Sequence, residues 1–231
     1  MDCELVEFFP EVAGIYTFDK EKHAKIKELC DRVTKEVGFE DPDMTTNQFD
    51  RNLTHYFNRS NSSLLDFSDE FSDFEEWLKE CCTHFMTNVH NYILENGNEV
   101  MITDCWMNKT LERATQVEHN HHNSMISGTY YVNKEEWVHS GLDFHKKRYE
   151  MHPHISHLKN WDSPNKYCRY VENIQPKEGQ LVLWLSHLYH GYDGSTNFWE
   201  NRVSISMNFL PKIIDNGKYS FRIQDNKNGA K

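Results

Sequence analysis

Residues 126–145 have the sequence ISGTYYVNKEEWVHSGLDFH, in which two short apolar or β-branched runs flank a polar segment. Runs of this kind, separated by Gly, Ser and Asn, are typical of short strands joined by turns. The pattern continues on both sides, and the predicted strands are 100–107, 114–121, 126–132, 141–145, 168–174, 181–185 and 202–210. Seven short strands within about 110 residues predict a sandwich or a barrel.

The first hundred residues have a different pattern. Residues 5–18 predict one or two short strands, and Asp19 is placed to cap a helix that runs to about Val37. Residues 39–67 are polar and are predicted to be irregular. Ser72 and Glu75 then form a capping-box pattern, which predicts a long helix closed by Asn96-Gly97. Its stripe of apolar residues is expected to pack against a sheet.

The length of the chain predicts the number of domains, and its net charge excludes some classes of partner. A chain of 231 residues fits one domain, with a helical support region at 1–99, a β core at 100–210 and a tail at 211–231. Its 25 basic and 36 acidic residues give a net charge of −11, which disfavours broad nucleic-acid or anionic-membrane binding. We therefore expect no nucleic-acid partner and no membrane.

The apolar runs and the cysteines predict where in the cell the protein is found. The longest apolar run is Leu181–Leu185, far too short for a membrane helix, and no secretory signal is visible after Met1. The six cysteines form no C-x-x-C pair. We expect free thiols in a cytoplasmic protein.

Three histidines and one arginine are the residues that best indicate a binding or catalytic site. His119 and His121 lie two apart, so on a strand they face the same side and could share one cation. His190 follows the apolar strand 181–185. Arg202 and Ser204 also share a face, and a guanidinium with a hydroxyl is a good receptor for a carboxylate. Three ligands on one face of a metal leave open positions, as in non-haem Fe(II) oxygenases.

The order of these motifs resembles a known family. His-x-His at 119–121 is followed by SGTYYVN at 127–133, SGLDF at 140–144, Pro176-x-x-Gly-Gln-Leu-Val-Leu-Trp, His190 and RVSISMNF at 202–209. This order is similar to the metal-centred half of iron(II)/2-oxoglutarate-dependent dioxygenases. The chain looks closest to their prolyl-hydroxylase-like branch and to phage and marine-bacterial oxygenases near it, over about residues 100–210.

The resemblance implies a fold, an activity and site residues. The fold would be α+β but mainly β: a double-stranded β-helix, or jelly-roll-like barrel, with N-terminal supporting helices. The activity would be hydroxylation of an unactivated C–H bond in a protein side chain or small molecule, using O2 and releasing succinate and CO2. The carried-over metal ligands for Fe(II) are His119, His121 and His190. The residues carried over as binding the distal carboxylate of 2-oxoglutarate are Arg202, Ser204 and Tyr131. No catalytic residue is implied beyond the metal ligands.

One departure from the family leaves the third ligand open. Most members have Asp or Glu where His121 stands, and a third imidazole makes the site one unit more positive. His122 is an alternative to His121, and Asp143 could reach in from the next strand. Asn108 and Gln116 are candidate substrate contacts.

Two other functions use the same pattern. A cupin-like metalloenzyme would need the histidines but no 2-oxoglutarate, and a non-catalytic jelly-roll module would need neither. The long segment 146–167, with His152, His154 and His157, is expected to be a polar lid.

Overall fold

The computed structural model describes residues 10–36, 53–56, 63–95, 97–146, 169–192, 197–199, 202–215 and 217–224, and for 53–56 the backbone alone. The proposed lid at 146–167 lies outside these residues, apart from Lys146. The tail beyond 224 and the predicted strand residues before Pro10 lie outside them as well.

Two antiparallel sheets form the centre of the molecule. The larger has the order β1-β8-β5-β10-β3-β2 and the smaller β4-β9-β6-β7. The strands of the larger sheet are β1 (Ala13–Thr17), β2 (Leu53–Tyr56), β3 (Val100–Thr110), β5 (Ile126–Asn133), β8 (Gln180–Leu185) and β10 (Arg202–Pro211). Those of the smaller sheet are β4 (Gln116–His119), β6 (Leu142–His145), β7 (Val171–Ile174) and β9 (Tyr189–Tyr192). A separate hairpin pairs β11 (Ile213–Asp215) with β12 (Ser220–Arg222).

The predicted mainly-β barrel is confirmed, and so are all seven predicted strands, with shifted ends. Three elements were predicted wrongly or missed. β2 lies within residues predicted to be irregular, and it forms by pairing with β3. β9 (Tyr189–Tyr192) was not among the predicted strands, and it forms because β4 and β6 pair with it from both sides. The β11–β12 hairpin lies in the predicted tail.

The first helix follows its sequence signals. α1 spans Lys20–Glu36, and Asp19 Oδ1 accepts the backbone N–H groups of Glu21 and Lys22 at 2.9 and 3.0 Å. This is the geometry of a side-chain N-cap. The buried face of α1 packs on β5 and includes Ile26, Leu29 and Val33.

The second helix corrects two predictions. α2 spans Ser72–His84 and continues as one π-helical turn, Phe85–Val89, so it ends well before Asn96. Ser72 is already helical, at φ −56° and ψ −47°, and the N-cap residue Phe71 makes no side-chain cap bond. The capping box is therefore absent, because a 3₁₀ turn at Asp69–Phe71 leads directly into α2 and its Asp69 carbonyl accepts the Ser72 N–H.

Helices and sheets enclose two apolar clusters. The larger lies between the helices and the outer face of the six-stranded sheet, and a smaller one, Tyr131, Leu142, Val182 and Trp184, lies between the sheets. Cys30, Cys81, Cys82 and Cys105 are buried free thiols. Among the described helices, none is both long and apolar enough to span a membrane.

Candidate metal centre and anion pocket

A cavity lies between the two sheets and extends from the predicted histidines to Arg202. Most of the residues that line it are polar, and they come from strands of both sheets. The lining residues are Trp106, Asn108, Gln116, His119, His121, Ser127, Gly128, Thr129, Tyr131, Leu142, Trp184, His190, Tyr192, Arg202, Ser204, Ser206 and Met207.

His119 and His190 come together because β4 and β9 pair, and the two residues are direct register partners. Their ring centroids are 4.4 Å apart. Each Nδ1–H donates to a backbone carbonyl two residues earlier, His119 to Val117 at 2.8 Å and His190 to Leu188 at 2.9 Å. These bonds hold the proton on Nδ1 and leave the Nε2 lone pair of each ring free for a cation.

His121 completes the group of three. Its backbone N–H donates to the Ser186 carbonyl at 2.9 Å, and its ring lies 5.2 and 5.1 Å from those of His119 and His190. Ligand atoms of all three residues lie within 4.8 Å of one another. The alternatives lie elsewhere: His122 is exposed, and Asp143 accepts a hydrogen bond from Asn173 Nδ2 at 2.6 Å. The structure thus brings His121, not His122 or Asp143, to the other two rings.

Burial suits these rings to bind a metal. It lowers the pKa of His121 to about 4 and that of His190 to about 3, and repulsion from His119 acts in the same direction. Both imidazoles are therefore neutral near neutral pH, the state in which histidine donates a lone pair.

Arg202 lies at the other end of the cavity and is 2% exposed. Its donors reach the Ser140 carbonyl at 3.0 Å, Thr110 Oγ1 at 3.3 Å and the Gly141 carbonyl at 3.4 Å, and its guanidinium lies 4.4 Å from the Tyr192 ring centroid. Within the described part of the chain, no carboxylate lies within 4.0 Å of it. A buried cation without a counter-ion is costly, so this end of the cavity favours an anion.

Tyr131 supports the same conclusion. It is fully buried, 5.3 Å from Arg202 by ring centroid, and its hydroxyl has no hydrogen-bond partner among the described residues. Burial raises the Tyr131 pKa to about 12, against the opposing effect of Arg202, so the hydroxyl is a neutral donor. Ser204 lines the cavity two residues after Arg202, as the strand period predicts.

Two buried side chains at or near the cavity were not predicted from sequence. Trp184 lies against His190, with ring centroids 4.7 Å apart, and its buried indole N–H also lacks a partner in the described structure. Lys134, 4% exposed, donates to Gln175 Oε1 at 3.1 Å. Burial and the nearby Arg202 charge lower its pKa to about 8. The periodicity of 126–133 gave no signal that a lysine just past the strand would be buried.

The candidate substrate contacts also face the cavity. Asn108 is buried and donates to Ser206 Oγ at 2.9 Å, whereas Gln116 opens β4 opposite Tyr192. Both lie on the inner wall.

Known proteins share this architecture and sequence pattern. A family model described as "Putative 2OG-Fe(II) oxygenase" matches residues 104–208, which include every histidine and Arg202 of the cavity. This segment is therefore similar to the 2OG-Fe(II) oxygenase family. No curated protein matches the chain in sequence.

Solved structures resemble the chain in fold. HygX from Streptomyces hygroscopicus, determined with nickel, 2-oxoglutarate and hygromycin B bound, is 9% identical, with 86% of this chain and 82% of HygX covered at a TM-score of 0.56. A Pseudomonas putida prolyl-4-hydroxylase is 12% identical, with 86% and 92% covered at a TM-score of 0.55. SnoN, an α-ketoglutarate-dependent epimerase of nogalamycin biosynthesis, is 8% identical, with 93% and 89% covered at a TM-score of 0.60.

Proposed function

We propose that the whole chain works as one Fe(II)- and 2-oxoglutarate-dependent dioxygenase domain that hydroxylates an unactivated C–H bond. The observation that carries the proposal is the pairing, in one cavity, of three clustered histidines with a buried arginine that has no described carboxylate partner. The histidine end of the cavity would hold a metal, and the arginine end would hold one carboxylate of a dicarboxylate.

The donor set fits the two ligands. His119 and His190 present Nε2 lone pairs and, with His121, would hold iron(II). Arg202, with Ser204 and Tyr131, would hold the distal carboxylate, because the guanidinium and the unpartnered phenol both donate. When bound, iron(II) and 2-oxoglutarate supply the oxidising chemistry: one oxygen atom of O2 enters the substrate and the other enters succinate, with release of CO2.

The chain's own contribution is to bind, orient and exclude water. Backbone carbonyls fix two imidazole rings before any ligand arrives, and burial keeps the Tyr131 proton in place as a donor. Preorganisation of this kind avoids the cost of ordering the site during the reaction.

We infer that the substrate is a peptide side chain or a small molecule. HygX has hygromycin B bound, and the P. putida structure is a prolyl-4-hydroxylase, so the fold accepts both classes. Asn108 and Gln116, on the wall of the same cavity, are our candidates for contacting it.

We also propose a reducing compartment, such as the cytoplasm, for the protein. Four cysteines in the described structure are buried thiols without disulfides.

The test is an anaerobic titration of metal-free protein with Fe(II) and then 2-oxoglutarate, followed by visible spectroscopy. We expect a charge-transfer band that is lost in His190→Ala and weakened in Arg202→Ala, and succinate release once O2 is admitted. A protein with no band and no succinate, even with fresh Fe(II) and ascorbate, would contradict the proposal.

A cupin-like metalloenzyme is the second candidate, favoured by the third imidazole where most of the family has a carboxylate. It would keep its metal and its activity without 2-oxoglutarate, and Arg202→Ala would leave its cosubstrate requirement unchanged.

A further inference from the structure

Asn208 is held in a dense hydrogen-bond network beside His121. On β10 it faces Asp104 of β3 and Ser127 of β5 as register partners. Its Oδ1 accepts from Ser127 Oγ at 2.9 Å and from Ser124 Oγ at 3.3 Å. Its Nδ2 donates to Asp104 Oδ2 at 3.3 Å and lies 3.4 Å from His121 Nδ1.

Asp104 decides which way the Asn208 side-chain amide points. A serine hydroxyl can donate or accept, so Ser127 and Ser124 would tolerate either end of the amide. An ionised carboxylate only accepts, so Asp104 requires Nδ2 on its side. Thr103 Oγ1, which donates to the same Asp104 oxygen at 3.1 Å, helps to hold that carboxylate in position. The amide N–H groups therefore face both Asp104 and His121.

This arrangement sets His121 apart from the other two histidines. His119 and His190 donate from Nδ1 to carbonyls, so their Nε2 atoms are ready to bind a cation. The Nδ1 atom of His121 instead faces a donor, which places the ring proton on Nε2. Neither nitrogen is then free: one accepts from Asn208 and the other carries the proton.

We propose that Asp104 and Asn208 are positioning residues that withhold His121 from the metal until the Asn208 amide turns. The proposal rests on the metal site proposed above and deepens it. Turning the amide by 180° presents Oδ1 to His121, which can then carry its proton on Nδ1 and donate Nε2. The turn brings Oδ1 against the Asp104 carboxylate, so the third ligand binds at a cost.

Two substitutions remove that cost in different ways. Asn208→Asp places an acceptor beside His121 Nδ1 permanently, so the repulsion from Asp104 is present before the metal arrives and no longer opposes binding. Asp104→Asn lets an amide N–H meet the turned Asn208 oxygen. We therefore expect each to tighten metal binding by about tenfold, since changes to the hydrogen-bond partners of a metal ligand alter metal affinity by about 10- to 100-fold. If the Asp104 charge instead supported the metal, Asp104→Asn would weaken binding.

Ser206→Ala is the matched control. Ser206 lies two residues before Asn208 on the same strand and face and hydrogen-bonds Asn108 and Thr129, not a histidine. It should leave metal affinity within about twofold of the parent. That is less than the change of about 10- to 100-fold expected when the hydrogen-bond partner of a metal ligand is altered.

The experiment has two readouts. Long-range ¹H–¹⁵N spectra of metal-free, histidine-labelled protein report the ring proton, which we expect on Nε2 of His121 in the parent and on Nδ1 in Asn208→Asp. Anaerobic Fe(II) titration against a competing chelator gives the dissociation constants, and thermal melting shows that each variant folds. If Asn208→Asp does not fold, Asp104→Asn carries the affinity test.

A parent spectrum with the His121 proton on Nδ1 would overturn the proposal, as would affinities that are unchanged or weaker in both variants. A parent that binds Fe(II) no better than His190→Ala would instead overturn the metal site itself. The metal-free spectrum would still decide the state of His121 in that case.

Discussion

Tyr130 and Tyr131 are adjacent on β5, equally buried, and opposite in what surrounds their hydroxyls. Tyr130 faces the helices, where its hydroxyl lies 2.6 Å from His23 Nδ1, and His23 Nε2 lies 3.1 Å from Glu178. Tyr131 faces the cavity and has no hydrogen-bond partner in the described structure. On the helix face of the sheet the buried hydroxyl has its hydrogen-bond partner. On the cavity face the buried hydroxyl lacks one among the described residues, at the place where a ligand would bind.

The same difference holds for charge. On the helix side, α1 presents Lys27 to Glu178 at 2.9 Å, so the cation has an anion. On the cavity side, the partners of Arg202 among the described residues are carbonyls, a hydroxyl and aromatic faces. A folded protein tolerates such an uncompensated group where function requires it, which is why the comparison indicates a site.

The largest effect is expected at Arg202. Arg202→Ala should raise the 2-oxoglutarate dissociation constant of the Fe(II)-loaded protein by about 100-fold, because a buried charged hydrogen-bond partner is worth about 2–5 kcal/mol. Arg202→Lys keeps the charge but loses the planar fork, and should cost about tenfold. Anaerobic calorimetry measures both constants.

The control for Arg202 is a surface arginine. Arg169 is half-exposed and pairs with Glu172 at 3.2 Å, so Arg169→Ala should leave cosubstrate affinity unchanged. A dissociation constant for Arg202→Ala within about threefold of the parent, given the energies above, would contradict the anion pocket.

The next effect concerns Tyr130 and Tyr131, whose substitution should change stability in one case and cosubstrate affinity in the other. Tyr130→Phe should lower the free energy of unfolding by about 1–2 kcal/mol, because it leaves His23 Nδ1 buried without its donor, and should leave cosubstrate affinity unchanged. Tyr131→Phe should do the reverse: no loss of stability, since it removes an unpartnered hydroxyl, but about tenfold weaker 2-oxoglutarate binding. Urea unfolding and calorimetry separate the two. Equal behaviour of the variants would remove the distinction between the faces.

Strand period explains how much of this comparison could be read from sequence. Alternation places Arg202 with Ser204, and it requires Tyr130 and Tyr131 to face opposite ways. His121 lies past the end of β4, and the bond from its backbone N–H to the Ser186 carbonyl, not strand alternation, holds it beside His119. Partners across the sheets could not be read in this way. His23 meets Tyr130 across 107 positions, and Asn208 meets His121 across 87. Such contacts depend on register, which no local pattern encodes.

Element ends were harder to predict for the same reason. The apolar stripe of α2 continues in sequence to Ile93, yet the helix ends at Val89 and Ile93 is 83% exposed. The stripe predicted a helix that packing did not extend, because no strand of the described structure covers those last residues.

The last effect is the pH dependence of stability that the buried histidines of the cavity face produce. In the unfolded chain a histidine has a pKa near 6.5, whereas burial lowers it to about 4 for His121 and about 3 for His190 in the fold. Between about pH 6.5 and 4 the unfolded state therefore binds more protons, so the stability of the metal-free protein should fall as the pH falls. Each ring contributes at most about 1.4 kcal/mol of stability per pH unit. Urea unfolding in a chelator from pH 7.5 to 4.5 should give a shallower decline in His190→Gln than in the parent. At pH 7.5 both rings are neutral in both states, so that value is the reference for each variant. Parallel curves for parent and variant would show that the His190 ring is not kept neutral by burial, against the view that this face is built to present lone pairs.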